Sequence, residues 1–320
     1  MRLPAAGVLL IGLLSFAARA DVVVVSDERG DDLRVLTTEQ NVELAAIAVG
    51  KRPRGMCASP DGKVVYVALG DEDAVAVVDV ASRTVTAKIP AGRDPEQVAL
   101  SPDGKVLYVS NEAASTATAV AIDSKRQVFV AKVGTEPEGV AVTPSGKKIY
   151  VTGESSDDVT VLDAKSGKVL RHFKVGARPR WAAFTPDGKQ AFVSAEVGGT
   201  LHFVDAKADK PQASLQIGNG HTKPDGLAVS PDGKLLYVAE GRGAAVTVVD
   251  VASRTVKTRI PVGERPWGIA LSPQGDRLYT ANGGSNDVSI VETSSGRTIA
   301  RVPVGNKPYG VLYLPRAAGR

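Results

Sequence analysis

The sequence predicts an all-β chain folded as a seven-bladed β-propeller of four-stranded antiparallel blades. Three observations carry this prediction. A proline followed closely by a Ser/Thr-Pro-Asp-Gly type of turn recurs at Pro53, Pro95, Pro137, Pro179, Pro224, Pro266 and Pro308; neighbours are 42 residues apart, except for 45 between Pro179 and Pro224. A fixed repeat of roughly 40–45 residues with strand-like content marks propeller blades. After residue 20 no segment of useful length has helical periodicity. The last unit stops a few residues beyond Pro308, and the three strands it lacks are found at the other end of the chain.

Taken in order, residues 1–20 read as a leader. Arg2 is a short basic start, Val8 to Ala17 is an apolar run, and Ala18-Arg19-Ala20 has the small-x-small cleavage pattern. The run is too short to span a bilayer, so a secretory signal peptide cleaved after Ala20 is expected. A single propeller domain is then expected over residues 21–320, located in the periplasm with no membrane span. The formal charge of +4 falls to +2 without Arg2 and Arg19. Such a weak tilt specifies neither nucleic acid nor membrane as partner. Cys57 is the only cysteine, which excludes an internal disulfide and a Cys-x-x-Cys-His haem site. Three histidines and two methionines leave little for a soft metal.

Strands Val22 to Ser26, Leu33 to Thr37 and Val42 to Val49 are expected to pair with the strand after Pro308, closing the ring and sparing the last blade an incomplete edge. Arg93 to Gly134 serves as the model unit. Pro95 to Leu100 is a short apolar strand, and Ser101-Pro102-Asp103-Gly104 turns it, because proline presets the first turn angle and glycine supplies positive φ. Val106 to Ser110, Ala117 to Asp123 and Gln127 to Val133 follow as alternating or β-branched strands. The third strand usually closes on an acid: Asp79, Asp123, Asp163, Asp205, Asp250 and Glu292. A carboxylate there accepts backbone N–H groups of the next hairpin, a structural role.

Tyr66-Val67-Ala68, Tyr108-Val109-Ser110-Asn111, Tyr150-Val151-Thr152-Gly153 and Tyr279-Thr280-Ala281-Asn282 resemble the YVTN β-propeller repeat. The individual blades go further. Arg52-Pro53-Arg54-Gly55, Asp94-Pro95-Glu96, Glu136-Pro137-Glu138-Gly139, Arg178-Pro179-Arg180 and Asn282 to Asp287 resemble the PQQ-dependent catabolism-associated β-propeller family. Ser145-Gly146 departs from Asp-Gly, and three residues are inserted around Gly220-His221-Thr222. The resemblance implies a periplasmic protein working beside quinoprotein alcohol oxidation, without implying a defined reaction. The vicinal cysteine pair of quinoprotein alcohol dehydrogenases cannot exist here, so the chain is not expected to be that dehydrogenase.

Strand alternation divides the connections between two faces. Variation between repeats concentrates on the face carrying the anchor prolines and the second-to-third-strand loops, where a rigid scaffold presents function. Around that mouth the sequence places Arg54, Glu96, Glu138, Arg180, Asp225, Trp267 and Tyr309, with Glu112, Glu154 and Glu196 from the facing loops and Glu28 at the matching place in the last blade. This reads as an acidic sector between two arginine posts, facing aromatic residues. It suits a ligand held by bidentate arginine contacts, and a polycarboxylate such as PQQ would fit them; clustered oxygens would suit Ca2+. The plainer reading is a rim network in which arginine and glutamate neutralise each other.

Cys57 aligns with Ala99 and Ala141 and reads as a small core filler. His172 and His202 read as structural or exposed. His221, in the inserted loop, is a general base only if an acid orients it. Trp181 and Trp267 read as either channel lining or inter-blade packing. The preferred function is a non-catalytic binding or accessory propeller, engaging a periplasmic quinoprotein, a transport system or a small molecule at the mouth. Arg54 and Arg180 are expected to be removable together without loss of stability. The alternatives are a metal-assisted, lactonase-like hydrolase and a quinoprotein dehydrogenase subunit.

Overall fold

The computed structural model describes residues 21–219 and 221–315; the leader expected over residues 1–20 lies outside the described residues. Seven four-stranded antiparallel sheets stand in a ring. Blades are numbered here from the first anchor proline. Their innermost strands are Pro53–Ala58, Pro95–Leu100, Pro137–Val142, Pro179–Phe184, Pro224–Val229, Pro266–Leu271 and Pro308–Leu314. Blade 2 continues through Val106–Asn111, Thr116–Ala121 and Arg126–Lys132, each within two residues of the sequence reading. Among the described residues, helix is confined to two short 3-10 turns, Gly70–Glu72 and Glu112–Ala114.

Blade 7 closes the ring as the sequence requires. Its inner strand Pro308–Leu314 pairs antiparallel with Val22–Asp27, which leads outward to Asp32–Thr37 and Glu43–Ala48. Val24 faces Leu312 and Val25 faces Val311, so apolar pairs fasten the first described strand to the last.

The core lies between blades. Tyr150, Val159, Val161 and Phe173 of blade 3 pack on Ala182, Ala191 and Val193 of blade 4. Tyr150 presents its ring edge to Phe173 and Phe184 at 5.7 and 4.9 Å. The strands that close the ring are buried in the same way: Val24, Leu33 and Leu314 of blade 7 cluster with Met56, Val65 and Val67 of blade 1. Four of the six third-strand acids act as expected. Asp79, Asp163, Asp205 and Asp250 each accept a backbone N–H three residues on, at 2.7–2.9 Å.

One irregularity repeats in every blade and positions the site. Pro95 pairs with Asn111, but the next ladder pair is Val98 with Val109, so Glu96 and Gln97 together oppose Ser110. The same shift follows Pro53, Pro137, Pro179, Pro224, Pro266 and Pro308. Two residues opposing one is a β-bulge, which re-aims the side chain it carries. Seven bulges turn the residue after each anchor proline into the channel.

Candidate functional site at the channel mouth

The seven side chains aimed inward are Arg54, Glu96, Glu138, Arg180, Asp225, Trp267 and Tyr309. With Glu112, Glu154 and Glu196 they form one connected cluster, so the structure brings together all ten residues singled out in the sequence. They are also far more enclosed than an open rim: Glu138 is 2% exposed, Arg180 4% and Arg54 8%.

On one side, blades 7 and 1 to 4, the ring is a closed lock. Arg54 donates from Nε to Glu96 at 2.6 Å, from Nη1 to Glu28 at 3.2 Å and from Nη2 to Glu138 at 3.0 Å. Its guanidinium lies 3.9 Å from the centre of the Tyr309 ring. Tyr309 donates its hydroxyl to Glu138 at 2.6 Å. Arg180 reaches the same Glu138 at 3.1 Å and donates to Glu154. Arg178 and Lys223 bind Glu196 from the rim, at 3.2 and 2.9 Å.

Hydroxyl groups fix the backbone beneath this lock. Ser26 Oγ donates to the Arg54 carbonyl at 2.7 Å, and Thr152 Oγ1 to that of Arg180 at 3.0 Å. Burial would raise the Glu138 carboxyl, but the guanidiniums of Arg180 and Arg54 and the Tyr309 hydroxyl hold it below the ordinary range. Its neighbour Glu96 is driven well above that range, first by burial and then by the charge of Glu138. The lock therefore gathers negative charge on Glu138, between two arginines. This is the plainer of the two readings the sequence left open, and it corrects the expectation that both arginines can be removed without cost: each would leave buried carboxylates uncompensated.

Blades 4 to 6 are different. Asp225 is 1% exposed, and neither of its carboxylate oxygens has a hydrogen-bond partner. The nearest cation is Arg180, whose Nε lies 3.8 Å from Oδ2 and is itself unpartnered. Trp267, against which Arg180 lies at 5.3 Å, has an indole Nε1 that is buried and also unpartnered. Burial, opposed by the Arg180 charge, pushes the Asp225 carboxyl up to about 7. Buried polar groups left without partners are costly, and each requires a reason.

The residue type above the ring changes in this sector, which stays enclosed, with Gly241 itself buried. Where blades 2, 3, 4 and 7 carry Glu112, Glu154, Glu196 and Glu28 above the ring, blades 5 and 6 carry Gly241 and Gly283. A Cβ at Gly283 would lie 2.8 Å from Trp267 Nε1. Blade 1 also has a glycine here, Gly70, but the Arg52 guanidinium fills the space.

The remaining sequence candidates separate cleanly. Trp267 belongs to the ring, stacked 5.7 Å from Tyr309; Trp181 packs with Phe192 and Leu201 at the interface of blades 4 and 5. His221 is exposed in its loop. His202 accepts the Gly176 N–H at 2.9 Å, and burial lowers its basicity. Cys57 lines the core between blades 1 and 2, where burial raises its thiol. Asp94, Glu96 and Glu112 bring three oxygens within 4.8 Å of one another. Arg52 already binds Asp94 and Glu96, so a Ca2+ ion there would displace a guanidinium.

Two backbone features of the mouth residues escaped the sequence reading. Each residue before an anchor proline, from Arg52 (φ 51°) to Lys307 (φ 63°), is left-handed although none is glycine. Loop acids hold several in place, as where Asp157 Oδ1 accepts the Arg178 N–H at 2.9 Å. The second residue after the proline is glycine in blades 1, 3, 5, 6 and 7, because inner strands converge there. A Cβ at Gly268 would lie 2.6 Å from the Tyr309 carbonyl. The five-fold recurrence of this glycine was the available signal.

A ring of seven blades closed by its own N-terminal strands defines a seven-bladed β-propeller with a plugged, charged channel. The family model described as Lactonase, 7-bladed beta-propeller matches residues 80–174 and 168–298, and the chain belongs to that family. No curated protein matches it in sequence. Among solved structures it is similar to Kuenenia stuttgartiensis hydrazine synthase, with a TM-score of 0.78, 22% identity, and coverage of 90% of this chain and 99% of that one. It is similar to a proposed 6-phosphogluconolactonase of Bacteroides fragilis, with a TM-score of 0.79, 21% identity, and coverage of 93% and 99%. A functionally unknown protein of Desulfotomaculum acetoxidans gives a TM-score of 0.81 at 17% identity, covering 92% and 99%. At such identities the likeness shows the fold.

Proposed function

We propose that the protein is a periplasmic binding propeller that takes a small ligand or protein partner at the channel mouth without transforming it, beside a quinoprotein alcohol-oxidation or transport system. The observation that carries the reading is positional. One repeat position, turned inward by a bulge in every blade, holds Arg, Glu, Glu, Arg, Asp, Trp and Tyr, while the opposite face keeps its turn chemistry nearly constant. Specific side chains on a repetitive scaffold are how propellers make binding surfaces. The sequence resemblance to the PQQ-dependent catabolism-associated propellers supports the setting. The enclosed arginines favour an occupant other than PQQ itself, since a polycarboxylate would compete with Glu96 and Glu138 for Arg54. The test is native mass spectrometry of protein purified from alcohol-grown periplasm. A bound mass or co-purifying quinoprotein that is lost when mouth residues are changed is the expected result; a bare protein under every condition would refute the reading.

A second reading is lactone hydrolysis. It is favoured by membership of the Lactonase family and by Asp225, a carboxyl pushed to about 7 with both oxygens free to take a proton from water. Arg180 stands beside it to stabilise an oxyanion. A panel of lactones decides: turnover proportional to protein concentration, and abolished in Asp225→Asn, would establish this reading over the first.

A further inference from the structure

The outermost strand of each blade has no neighbour on one side, so its free backbone N–H and C=O groups can template another strand. Blade 2 guards that edge least. Its outer strand, Arg126–Lys132, carries no proline and no charge between its two end residues. Lys88, Arg171, Pro211, Lys257 and Arg301 interrupt the outer strands of blades 1, 3, 4, 5 and 6. Blade 7 half-buries Leu44 and Ala45, buries Ile47 and ties Glu43 to Arg34. Side-chain hydrogen bonds brace the other edges too: Thr86 to the Val77 carbonyl, Arg171 to the Ala208 carbonyl, Arg254 to Gln212 and Thr298 to the Pro261 carbonyl. Among the described residues, no side-chain hydrogen bond or ion pair involves any residue of Arg126–Lys132. Instead Val128 and Val130 stand 48% and 53% exposed on it.

A groove of about 350 Å³ runs beside the lower end of this strand, lined by Pro102, Val106, Tyr108, Val128, Ala164 and Lys165. Cations surround it. Lys105, Lys125, Arg126, Lys147, Lys165 and Lys168 are all exposed on the turns of blades 2 and 3, and among the described residues none has an ion pair. The matching lysines of other blades do: Lys63, Lys189 and Lys234 reach their turn aspartates at 3.3, 3.1 and 3.4 Å. The nearby acids Asp103 and Asp163 are turned to their own hairpins, accepting from Ser101 and Ser166. A second copy of the chain is a poor occupant of this edge. Antiparallel pairing would set Arg126 against Lys132, and parallel pairing would set each cation against itself, both destabilising.

We propose that the outer edge of blade 2 is a docking site for an extended segment of a partner protein, apolar at alternate positions and acidic at one end. The segment adds a fifth strand to the blade through backbone hydrogen bonds to Arg126–Lys132, its apolar side chains cover Val128 and Val130, and its acidic end lies among the lysines of blades 2 and 3. This surface lies on the outside of the ring, away from the channel mouth, and does not depend on what the mouth binds.

The test is fluorescence anisotropy of the purified protein with three labelled peptides: Asp-Glu-Asp-Thr-Val-Thr-Val-Thr-Val, the same peptide beginning Lys-Lys-Lys, and the acidic peptide with its second and third Thr changed to Pro. The acidic peptide should bind about tenfold more tightly than either control, and should weaken as salt is raised. Val130→Lys and Lys165→Glu should each cost about tenfold in affinity, since one places a charge on the edge and the other reverses one beside the groove. Val256→Lys, at an equally exposed valine of blade 5's edge, should change nothing, and so should Gly283→Glu at the mouth. Thermal denaturation of Val130→Lys should match the parent, because that side chain packs in no core cluster. Amide hydrogen exchange supplies a second readout on the unaltered protein: the acidic peptide should slow exchange in residues 126–132 and leave residues 255–261 unchanged.

No binding of the acidic peptide, equal binding of all three, indifference to both Val130→Lys and Lys165→Glu, or protection confined to other strands would overturn the proposal. So would dimers in sedimentation that Val130→Lys disperses, which would make a second copy the occupant. Binding to phosphatidylglycerol vesicles without binding to the acidic peptide would assign the lysines to a lipid surface and overturn it as well.

Discussion

Arg54 and Asp225 occupy the same repeat position, the residue after an anchor proline, and meet opposite fates. Arg54 has three carboxylate partners and an aromatic face; Asp225 is equally buried and has no hydrogen bond at all. The backbone that delivers them is the same bulge. What differs is the neighbourhood. Around Arg54 the rim is filled by Glu28 and Arg52, and Ser26 clasps its carbonyl. Around Asp225 the equivalent places hold Glu196, Lys223 and Ser194, but the nearest cation, Arg180, is committed to Glu138 and Glu154. A propeller can thus use one position to make its channel rigid on one side and receptive on the other. A buried acid that costs stability is characteristic of a site kept for use.

The largest expected effect comes from breaking the lock. Arg54→Met removes the cation shared by Glu28, Glu96 and Glu138, and should lower unfolding free energy by about 3–5 kcal/mol, the usual result of orphaning buried charges. Urea or thermal denaturation checks this. A variant as stable as the parent would mean that the acids simply take up protons and that the lock is not structural.

Asp225→Asn should act in the other direction and depend on pH. The folded carboxyl titrates near 7 against an ordinary value of 3.8, so between these limits the folded protein keeps a proton that the unfolded chain has released. Wild-type stability therefore falls as pH rises from about 4 to 7, and levels off above. The asparagine variant lacks this loss. Relative to wild type it should gain about 3 kcal/mol between pH 4.5 and pH 8. A difference that stays flat across this range would mean that Asp225 is solvated or paired in solution.

Most of this architecture was legible. The proline period fixed the blade count, the truncated last unit implied the closing strands, and the changing residues beside each proline located the mouth. The lock was foreseen as one of two readings, because arginines and glutamates at equivalent positions were known to converge. Its depth was not: no periodicity shows that a bulge after Pro53 carries Arg54 inward to 8% exposure. Nor does composition reveal that Asp225 lacks a hydrogen-bond partner, because that depends on Arg180 being drawn instead to Glu138 and Glu154.

The smallest stability effect gives a sharp contrast between the faces. On the lower face Asp103 Oδ1 accepts the Ser101 hydroxyl and the Lys105 N–H, at 2.6 and 3.1 Å, and Asp61, Asp187 and Asp232 repeat the arrangement. Blade 3 has Ser145 in that place, sharing one 3.2 Å bond with Thr143. Ser145→Asp restores the repeat and should stabilise by a few tenths of a kcal/mol, leaving ligand binding untouched. The same logic applied above is Gly283→Glu, which gives blade 6 the rim acid of blades 2, 3, 4 and 7. That change should abolish mouth binding, because even a Cβ there crowds Trp267 Nε1. Repair toward the repeat is then benign where the repeat is structural and destructive where departure from it makes the site. If Gly283→Glu binds normally, the change of residue type above this sector is an accident of composition, and the two halves of the ring differ in packing alone.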